Sequence, residues 1–380
     1  MRRLSIACFL LAFGLGACAA SQPAGQVRTY YIAVDEVNWN YVPTGIDQMS
    51  GKPFDAYQRA FAIRDPHHIG SVYRKAIYRE YTDATFRTLK VRPPNQRYLG
   101  ILGPIIHAGV GDTIKVVFRN NASRAYSIHP HGVLYGKDSE GSAYNDSTTG
   151  ASKIAGAVPP GRTYDYTWQV PERAGPGPND PSSIVWFYHS HVDDQKDVDA
   201  GLVGAIVVTA RGMARPDGTP KDVDREFVTL FNMFDENQSW YLDENIARYT
   251  PAVKGAERSA EIPVDLDNDF SLVGTAFVDS NQKYSINGYI FADGPIMVMK
   301  SGERVRWYLL TVGNAINFHT PHWHGNTVLW DKQRTDVIAL SPAQMVTADM
   351  VPDNPGTWLF HCHIADHMRA GMTARYKVMP

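Results

Sequence analysis

The chain has 380 residues, a formal net charge of −2, 44% apolar residues and 20% charged ones. That balance is ordinary for a soluble globular protein with room for two domains, and without a basic tail it offers no footing for nucleic acid. Tyr (20), Trp (8), Gly (31) and Pro (24) are frequent, and long helical periodicities are scarce, which predicts a strand-rich fold.

In chain order, Arg2 and Arg3 come first, followed by an apolar run that ends Leu15-Gly16-Ala17-Cys18. A run of about a dozen residues is too short to span a membrane and fits the apolar region of an export signal. The last four residues read as a lipobox, which would leave Cys18 lipidated. The alternative is an ordinary secretory peptide cut beside Ala17-Cys18-Ala19. The expectation is therefore a signal peptide of the lipoprotein type over 1–18 and a tether over 19–27. The protein would be exported to a bacterial cell envelope, anchored facing the periplasm or otherwise soluble there. Cys8 and Cys18 both fall in this segment, so Cys362 is the only thiol left for the folded body. An exported chain could form disulfides, but Cys362 has no partner within one chain.

Histidines then recur as His-x-His pairs: His129 and His131 in IHPHG, and His189 and His191 in YHSHV. A stretch rich in Pro, Gly and charge, RGMARPDGTPKDVD, follows without periodicity and reads as a linker. It places one domain over 28–210, the linker over 211–224 and a second domain over 225–380. The second half carries HTPHWHG, with His319, His322 and His324, and HCHIADHMRAGM, with His361, His363 and His367. These clusters hold ten of the 13 histidines; His67, His68 and His107 lie outside. One such pair means little, but four are hard to explain without metal.

The segment GTWLFHCHI alternates like a strand, which predicts Trp358, Phe360, Cys362 and Ile364 on one face and Leu359, His361 and His363 on the other. The thiolate then points one way and two imidazoles the other. His367 follows Cys362 at +5 and Met372 at +10. Two histidines, a cysteine and a weak axial methionine make a blue-copper site, and the HTPHWHG cluster can supply the second histidine.

The chain repeats itself. ILGPIIHAGVGDTIKVVFRN…YSIHPHG parallels FADGPIMVMKSGERVRWYLL…HTPHWHG, and VWFYHSHVDD…AGL parallels WLFHCHIADH…AGM. Across the repeats His319 corresponds to Tyr126, Cys362 to Ser190, His367 to Gln195 and Met372 to Leu202. All four blue-copper positions are vacated in the first copy, whereas the four His-x-His pairs are kept. The chain thus has one blue-copper centre and eight further imidazoles.

These motifs resemble the signature of the multicopper oxidases. The likeness runs over nearly all the mature chain, above all to the ceruloplasmin and hephaestin branch, and extends to the small two-domain laccases. YYIAVDEVNWNYVPTG, LGPIIHAGVGD, IHPHGVLYGKDSEGSAYND, FYHSHVDDQKDVDAGLVG, FDENQSWYLDENI and HCHIADHMRAGM carry it. It implies an all-β fold of two cupredoxin-like Greek-key β-sandwich domains. It also implies copper: one type 1 ion on His319, Cys362, His367 and Met372, and one type 2 ion on His129 and His322. Two type 3 ions would sit on His131, His189, His191, His324, His361 and His363. The implied enzyme takes single electrons from a reducing substrate at Cys362 and reduces O2 to water. Glu140 and Tyr135 match positions of a proton-donating carboxylate and a redox-active tyrosine in the small laccases.

For substrate, Asp366 matches an acid that binds Fe(II) beside the type 1 histidine in the ceruloplasmin branch, and Asp279 replaces another. Tyr284 stands where the branch has a histidine, and Ala315 where it has an acid. Asp366 could equally hold His367 in place. The expected substrate is Fe(II) or Cu(I), with laccase-like phenol oxidation as the alternative. A copper nitrite reductase would carry its blue site in the first domain, and a simple copper-binding electron carrier would leave the paired histidines idle. Ceruloplasmin closes six cupredoxin domains into a ring whose first and last build the cluster. Three copies of a two-domain chain rebuild that ring, so the expectation is a homotrimer with each trinuclear cluster between domain one of one subunit and domain two of the next.

Overall fold

The computed structural model describes residues 25–253, 277–314 and 317–380. The expected signal and lipobox over 1–18, most of the tether, and Ala315 lie outside the described residues. The tether's last residues belong to the fold: the Gln26 N–H is accepted by Asp112 at 2.8 Å, and Val27 already opens the first strand.

The first half contributes β1 (Val27–Asn40), β2 (Val72–Tyr81), β3 (Ile106–Gly109), β4 (Thr113–Asn120), β5 (His129–Pro130), β6 (Leu134–Tyr135), β7 (Thr163–Gln169), β8 (Ser183–His189) and β9 (Val203–Thr209). They form two sheets, β2-β1-β4-β7-β6 and β3-β9-β8-β5. The second half contributes β10 (Arg225–Asp235), β11 (Gln282–Ile286), β12 (Met297–Lys300), β13 (Val305–Leu310), β14 (Pro321–Trp323), β15 (Val328–Trp330), β16 (Gln333–Thr335), β17 (Met345–Met350), β18 (Gly356–Cys362) and β19 (Thr373–Met379). Its sheets are β11-β10-β13-β17-β15-β16 and β12-β19-β18-β14. Among the described residues no sheet mixes the two halves.

The sequence repeat becomes a repeat of register. β1 runs parallel to β4 as β10 does to β13, and β3 runs parallel to β9 as β12 does to β19. The helices are short. α1 (Ala56–Ala62) opens on a capping box in which Asp55 and Gln58 satisfy each other's backbone N–H. α2 (Ala151–Ala155), α3 (Asp194–Ala200), α4 (Leu242–Tyr249), α5 (Phe277–Ser280) and α6 (Ala365–Arg369) follow. α3 and α6 occupy equivalent places, and each gives way to a left-handed glycine, Gly201 at φ 119° and Gly371 at φ 113°. A Cβ on Gly201 would meet the Ala76 carbonyl at 2.8 Å, so only glycine turns the chain back there.

Two apolar cores result. One fills the first sandwich around Tyr78, Phe118, Tyr166 and Trp168. The other fills the second sandwich and continues across the boundary to Val185, Phe187, Val203, Ala205 and Val207 of β8 and β9. β9, sequence VGAIVVT, is buried at every position, as a strand covered on both faces should be. The halves are thus joined by core-like packing rather than by a chain crossing alone.

Lys283 adds a polar pin. Fully buried in β11, it donates to the carbonyls of Phe61 and Gly70 in the first half and Ser280 in the second, at 2.7, 2.9 and 2.6 Å. Burial pulls its ammonium from 10.5 down to about 7, with Glu236 opposing. Between those values the unfolded chain carries a proton that the folded chain has released, so stability rises with pH across that window. Urea midpoints will climb from about pH 7 to about pH 9.5 in the wild type and lose that rise in Lys283→Met. Above about pH 10 buried tyrosines such as Tyr73 and Tyr78, held up by burial, reverse the trend. A flat wild-type profile would refute the assignment.

Candidate metal centres

Strand pairing builds the site. β14 and β18 run antiparallel with Pro321 opposite Cys362 and His322 opposite His361. β5 and β8 place His129 opposite His189 in the same way. In each half, two His-x-His pairs therefore meet across one antiparallel ladder. β18 ends at Cys362, so His363 and Ile364, expected on the strand, lie past its end. The His363 N–H goes to the Thr320 carbonyl at 2.9 Å, and Ile364 caps α6. The predicted division of faces still holds where it matters, for Cys362 gathers with one set of ligands and His361 with another.

On the Cys362 side, the ligand atoms of His319, Cys362 and His367 lie within 4.8 Å of one another, and all three residues are buried. The Nδ1 atoms of His319 and His367 are 3.2 Å apart, and Cys362 Sγ is 3.7 Å from His367 Nδ1. Asn317 Oδ1 accepts from His319 Nε2 at 3.0 Å, which leaves Nδ1 as the free lone pair. Asn317 is itself held, accepting from the Met233 N–H at 2.8 Å and donating to Asn232 at 2.7 Å. The Thr320 N–H points at Sγ from 3.4 Å. Met372 is fully buried, and its carbonyl accepts the Cys362 N–H at 3.1 Å. Sequence reasoning missed Asn317 and Thr320. The available signal was a polar side chain two residues before His319, on the same side of an extended stretch.

On the other side, His361 Nε2 is 3.0 Å from both His322 Nδ1 and His324 Nε2, and the His363 ring lies 5.0 Å from that of His322. His361 Nδ1 donates to the Cys362 carbonyl at 2.7 Å. In the first half His131 Nε2 is 3.2 Å from His189 Nε2, and the His191 ring is 5.2 Å from that of His129. Outward-facing nitrogens are committed: His129 Nδ1 to the Glu140 carbonyl at 2.6 Å, His189 Nδ1 to Asp194 at 2.8 Å, His191 Nδ1 to Ser142 at 3.1 Å. Burial, foremost, pulls His129 and His361 down to about 4 and His131 to about 3. Neutral imidazoles with lone pairs converging at about 3 Å repel one another unless a cation lies between them, so these donors fit a metal.

The remaining candidates divide. The Tyr135 ring lies 5.8 Å from His129. The Glu140 carboxylate is engaged by Lys137 at 2.7 Å and Tyr144 at 3.0 Å, and it is the Glu140 backbone carbonyl that touches His129. Asp366 sits exposed in the first turn of α6 beside His367, and Asp279 lies in α5. The Tyr284 ring lies 4.7 Å from that of His367, tilted by 38°. Burial pushes Tyr284 up to about 12, with Tyr57, Asp279, Asp235 and Asp366 adding to the rise. Among the described residues, each candidate metal group draws its histidines from one half only.

Two family models described as multicopper oxidase match the chain, one over residues 95–212 and one over residues 262–380. The chain is 44% identical to Ferroxidase HEPHL1 of Homo sapiens over 92% of its own length and 29% of that protein. It is 40% identical to hephaestin of Mus musculus over 93% and 30%, and 39% identical to ceruloplasmin of Rattus norvegicus over 93% and 31%. It spans about a third of the length of these curated relatives. A crystal structure of a multicopper oxidase superposes with a TM-score of 0.56 at 19% identity, over 93% of this chain and 89% of that one. A copper nitrite reductase from Nitrosomonas europaea gives 0.54 at 16%, over 94% of both chains. At those identities the structures speak for the shared cupredoxin-like fold.

Proposed function

The chain belongs to the multicopper oxidases, and from that premise we propose that it couples one-electron oxidation of a small reducing substrate to the reduction of O2 to water. The observation that carries this reading is one piece of backbone. Cys362, with His319 and His367, and His361, with His322 and His324, are adjacent residues facing opposite ways. We assign His319, Cys362, His367 and Met372 to a type 1 copper, His129 and His322 to a type 2 copper, and the other six paired histidines to two type 3 coppers. Bound copper would supply the redox chemistry, accepting electrons singly at the first site and delivering four to dioxygen at the rest.

The chain's own residues prepare that task. Asn317 fixes the His319 tautomer, and the Thr320 N–H stabilises negative charge on Sγ. The His361 Nδ1–H to Cys362 carbonyl bond ties the two sites by a hydrogen bond as well as by the chain. Burial of Cys362 and His319 at 0% exposure keeps water from the thiolate.

For substrate the reading is a metal ion, Fe(II) or Cu(I), with a phenol as the alternative. Asp366 beside His367, and Asp279, whose charge acts with that of Asp366 on Tyr284, support a cation, since hard ions take oxygen ligands. Steady-state oxygen consumption with Fe(II), Cu(I) and a phenol tests it. In Asp366→Asn the kcat/KM for Fe(II) should fall about tenfold while that for the phenol holds. An equal fall for both would make Asp366 a support for His367 instead.

The finer reading includes a domain division near 211–224, export to a bacterial envelope on a lipidated Cys18, and a homotrimer. That each candidate metal group draws its histidines from one half supports the trimer, in which a neighbour's domain would complete each cluster.

A further inference from the structure

The first half keeps the backbone frame of the blue-copper site without its ligands. The Ser127 N–H reaches Ser190 Oγ at 3.1 Å, as the Thr320 N–H reaches Cys362 Sγ at 3.4 Å. The Ser190 N–H goes to the Leu202 carbonyl at 3.3 Å, as that of Cys362 goes to Met372 at 3.1 Å. In each half the hydroxyl of Ser127 or Thr320 also accepts, at 3.0 Å, the N–H of the histidine that follows, His191 or His363. What meets Ser190 in this frame is a carboxylate, that of Asp197 in α3, at 0% exposure. Its Oδ2 accepts from Ser190 Oγ at 2.6 Å and from the N–H groups of Val192 and Asp193 at 3.0 and 3.2 Å. Its Oδ1 accepts from Trp240 Nε1 at 2.8 Å, across from the second half. Four donors on one buried side chain use the capacity that a carboxylate has and no neutral side chain matches. The second half closes the frame further: the Tyr241 hydroxyl lies 3.1 Å from that of Tyr126, which stands at the His319 position. The Trp240 ring also carries the cations of Arg124 and Lys196 at 4.7 and 4.4 Å from its centroid.

We propose that Asp197 is a positioning residue of the oxygen-reducing site: tied to Trp240 of the second half, it fixes the turn from Ser190 to Asp194 that aims His189 and His191. This rests on the oxidase reading. Both histidines sit where β8 runs out, so the strand ladder alone does not hold them. Ser190 lies between them, and Asp197 takes its hydroxyl. Asp193 caps α3 and precedes Asp194, whose carboxylate meets His189 Nδ1 at 2.8 Å. By holding the Val192 and Asp193 N–H groups, Asp197 therefore sets His191 from one side and the partner of His189 from the other. Imidazoles ordered before a metal arrives bind it more tightly, because less freedom is lost on binding. The vacated copy is thus an anchor for the histidines it retains, and the anchor is fastened to the second half.

Asp197→Asn is the test. The amide keeps the shape but turns one oxygen into a donor facing other donors, so at least one of the four bonds is lost. In the metal-free full chain, amide exchange over residues 190–194 should speed up. On copper loading, the affinity of the paired-histidine sites should fall about 10–100-fold and their electron paramagnetic resonance signal should change, while the blue absorption holds. Trp240→Phe, which removes a single donor, should move the same readouts the same way by less, and it decides the matter should Asp197→Asn not fold. Thr209→Val controls for lost stability alone. It deletes a buried hydrogen bond to the Gly218 carbonyl at the end of β9 remote from the histidines, and should move neither readout. Unchanged copper affinity in the Asp197 and Trp240 variants, or an equal fall in Thr209→Val, overturns the proposal. A wild type that takes up copper at the blue centre alone overturns the oxidase reading and this proposal with it. A wild type with its full copper set beside unaffected variants overturns this proposal only.

Discussion

Cys362→Ser will abolish the blue absorption and cut substrate-driven oxygen consumption by roughly 10³-fold or more, while the protein stays folded and keeps the copper bound by the paired histidines. The substitution is nearly isosteric but buries a hydroxyl at a fully buried position, so its cost in stability should be about 1–3 kcal/mol. What it removes is the soft thiolate, which the Thr320 N–H steadies at 3.4 Å and which lies 3.7 Å from His367 Nδ1. A serine oxygen in its place leaves His319 and His367 without the ligand that makes this a blue site. The backbone from residue 361 to 363 is unchanged, so the imidazoles on the opposite face keep their geometry. Visible spectra, copper content and an oxygen electrode on one preparation check all three effects. Substantial turnover without the blue band would mean that electrons enter through the paired histidines directly.

Much of this site is legible in the sequence because it depends on short-range geometry. Alternation along β18 fixes which way Cys362 and His361 point, and a one-residue slip would reverse both. The repeat fixes the pairing as well: the ladder that sets His322 opposite His361 also sets His129 opposite His189. What the sequence leaves hidden depends on partners far along the chain. Asn317 matters through His319, but its other bonds reach Asn232 and Met233. Glu140 shows the reverse case. Its spacing from His131 suits a proton donor, yet Lys137 and Tyr144 take its carboxylate, and its contact with His129 is made by the backbone. The strand reading of GTWLFHCHI overshoots by two residues because Thr320 captures the His363 N–H and Ile364 turns into α6.

Mixing two inactive variants should restore activity. His131→Ala disables the first-half set and His361→Ala the second, so each alone should be unable to reduce oxygen. If one cluster forms between domain one of one subunit and domain two of its neighbour, a His361→Ala subunit followed around the ring by a His131→Ala subunit contributes two intact sets. That neighbour also brings an unmodified Cys362 beside its own His361. After unfolding and refolding an equal mixture with copper, about a quarter of the interfaces in a randomly assembled cyclic trimer should be intact, giving about a quarter of wild-type turnover. A cluster closed within one chain predicts no rescue at any ratio. The fold argues against such closure. Among the described residues no candidate metal group combines histidines of the two halves, and the halves are locked by Val185, Phe187, Val203, Ala205 and Val207 packed into the second core. Swinging the halves to bring the sets together would strip that apolar face from its cover, at a cost of about 1.5–3 kcal/mol for each large side chain exposed. On the trimer proposal a second subunit would complete the cluster without disturbing that core, which is why the mixed variants should recover what neither possesses alone.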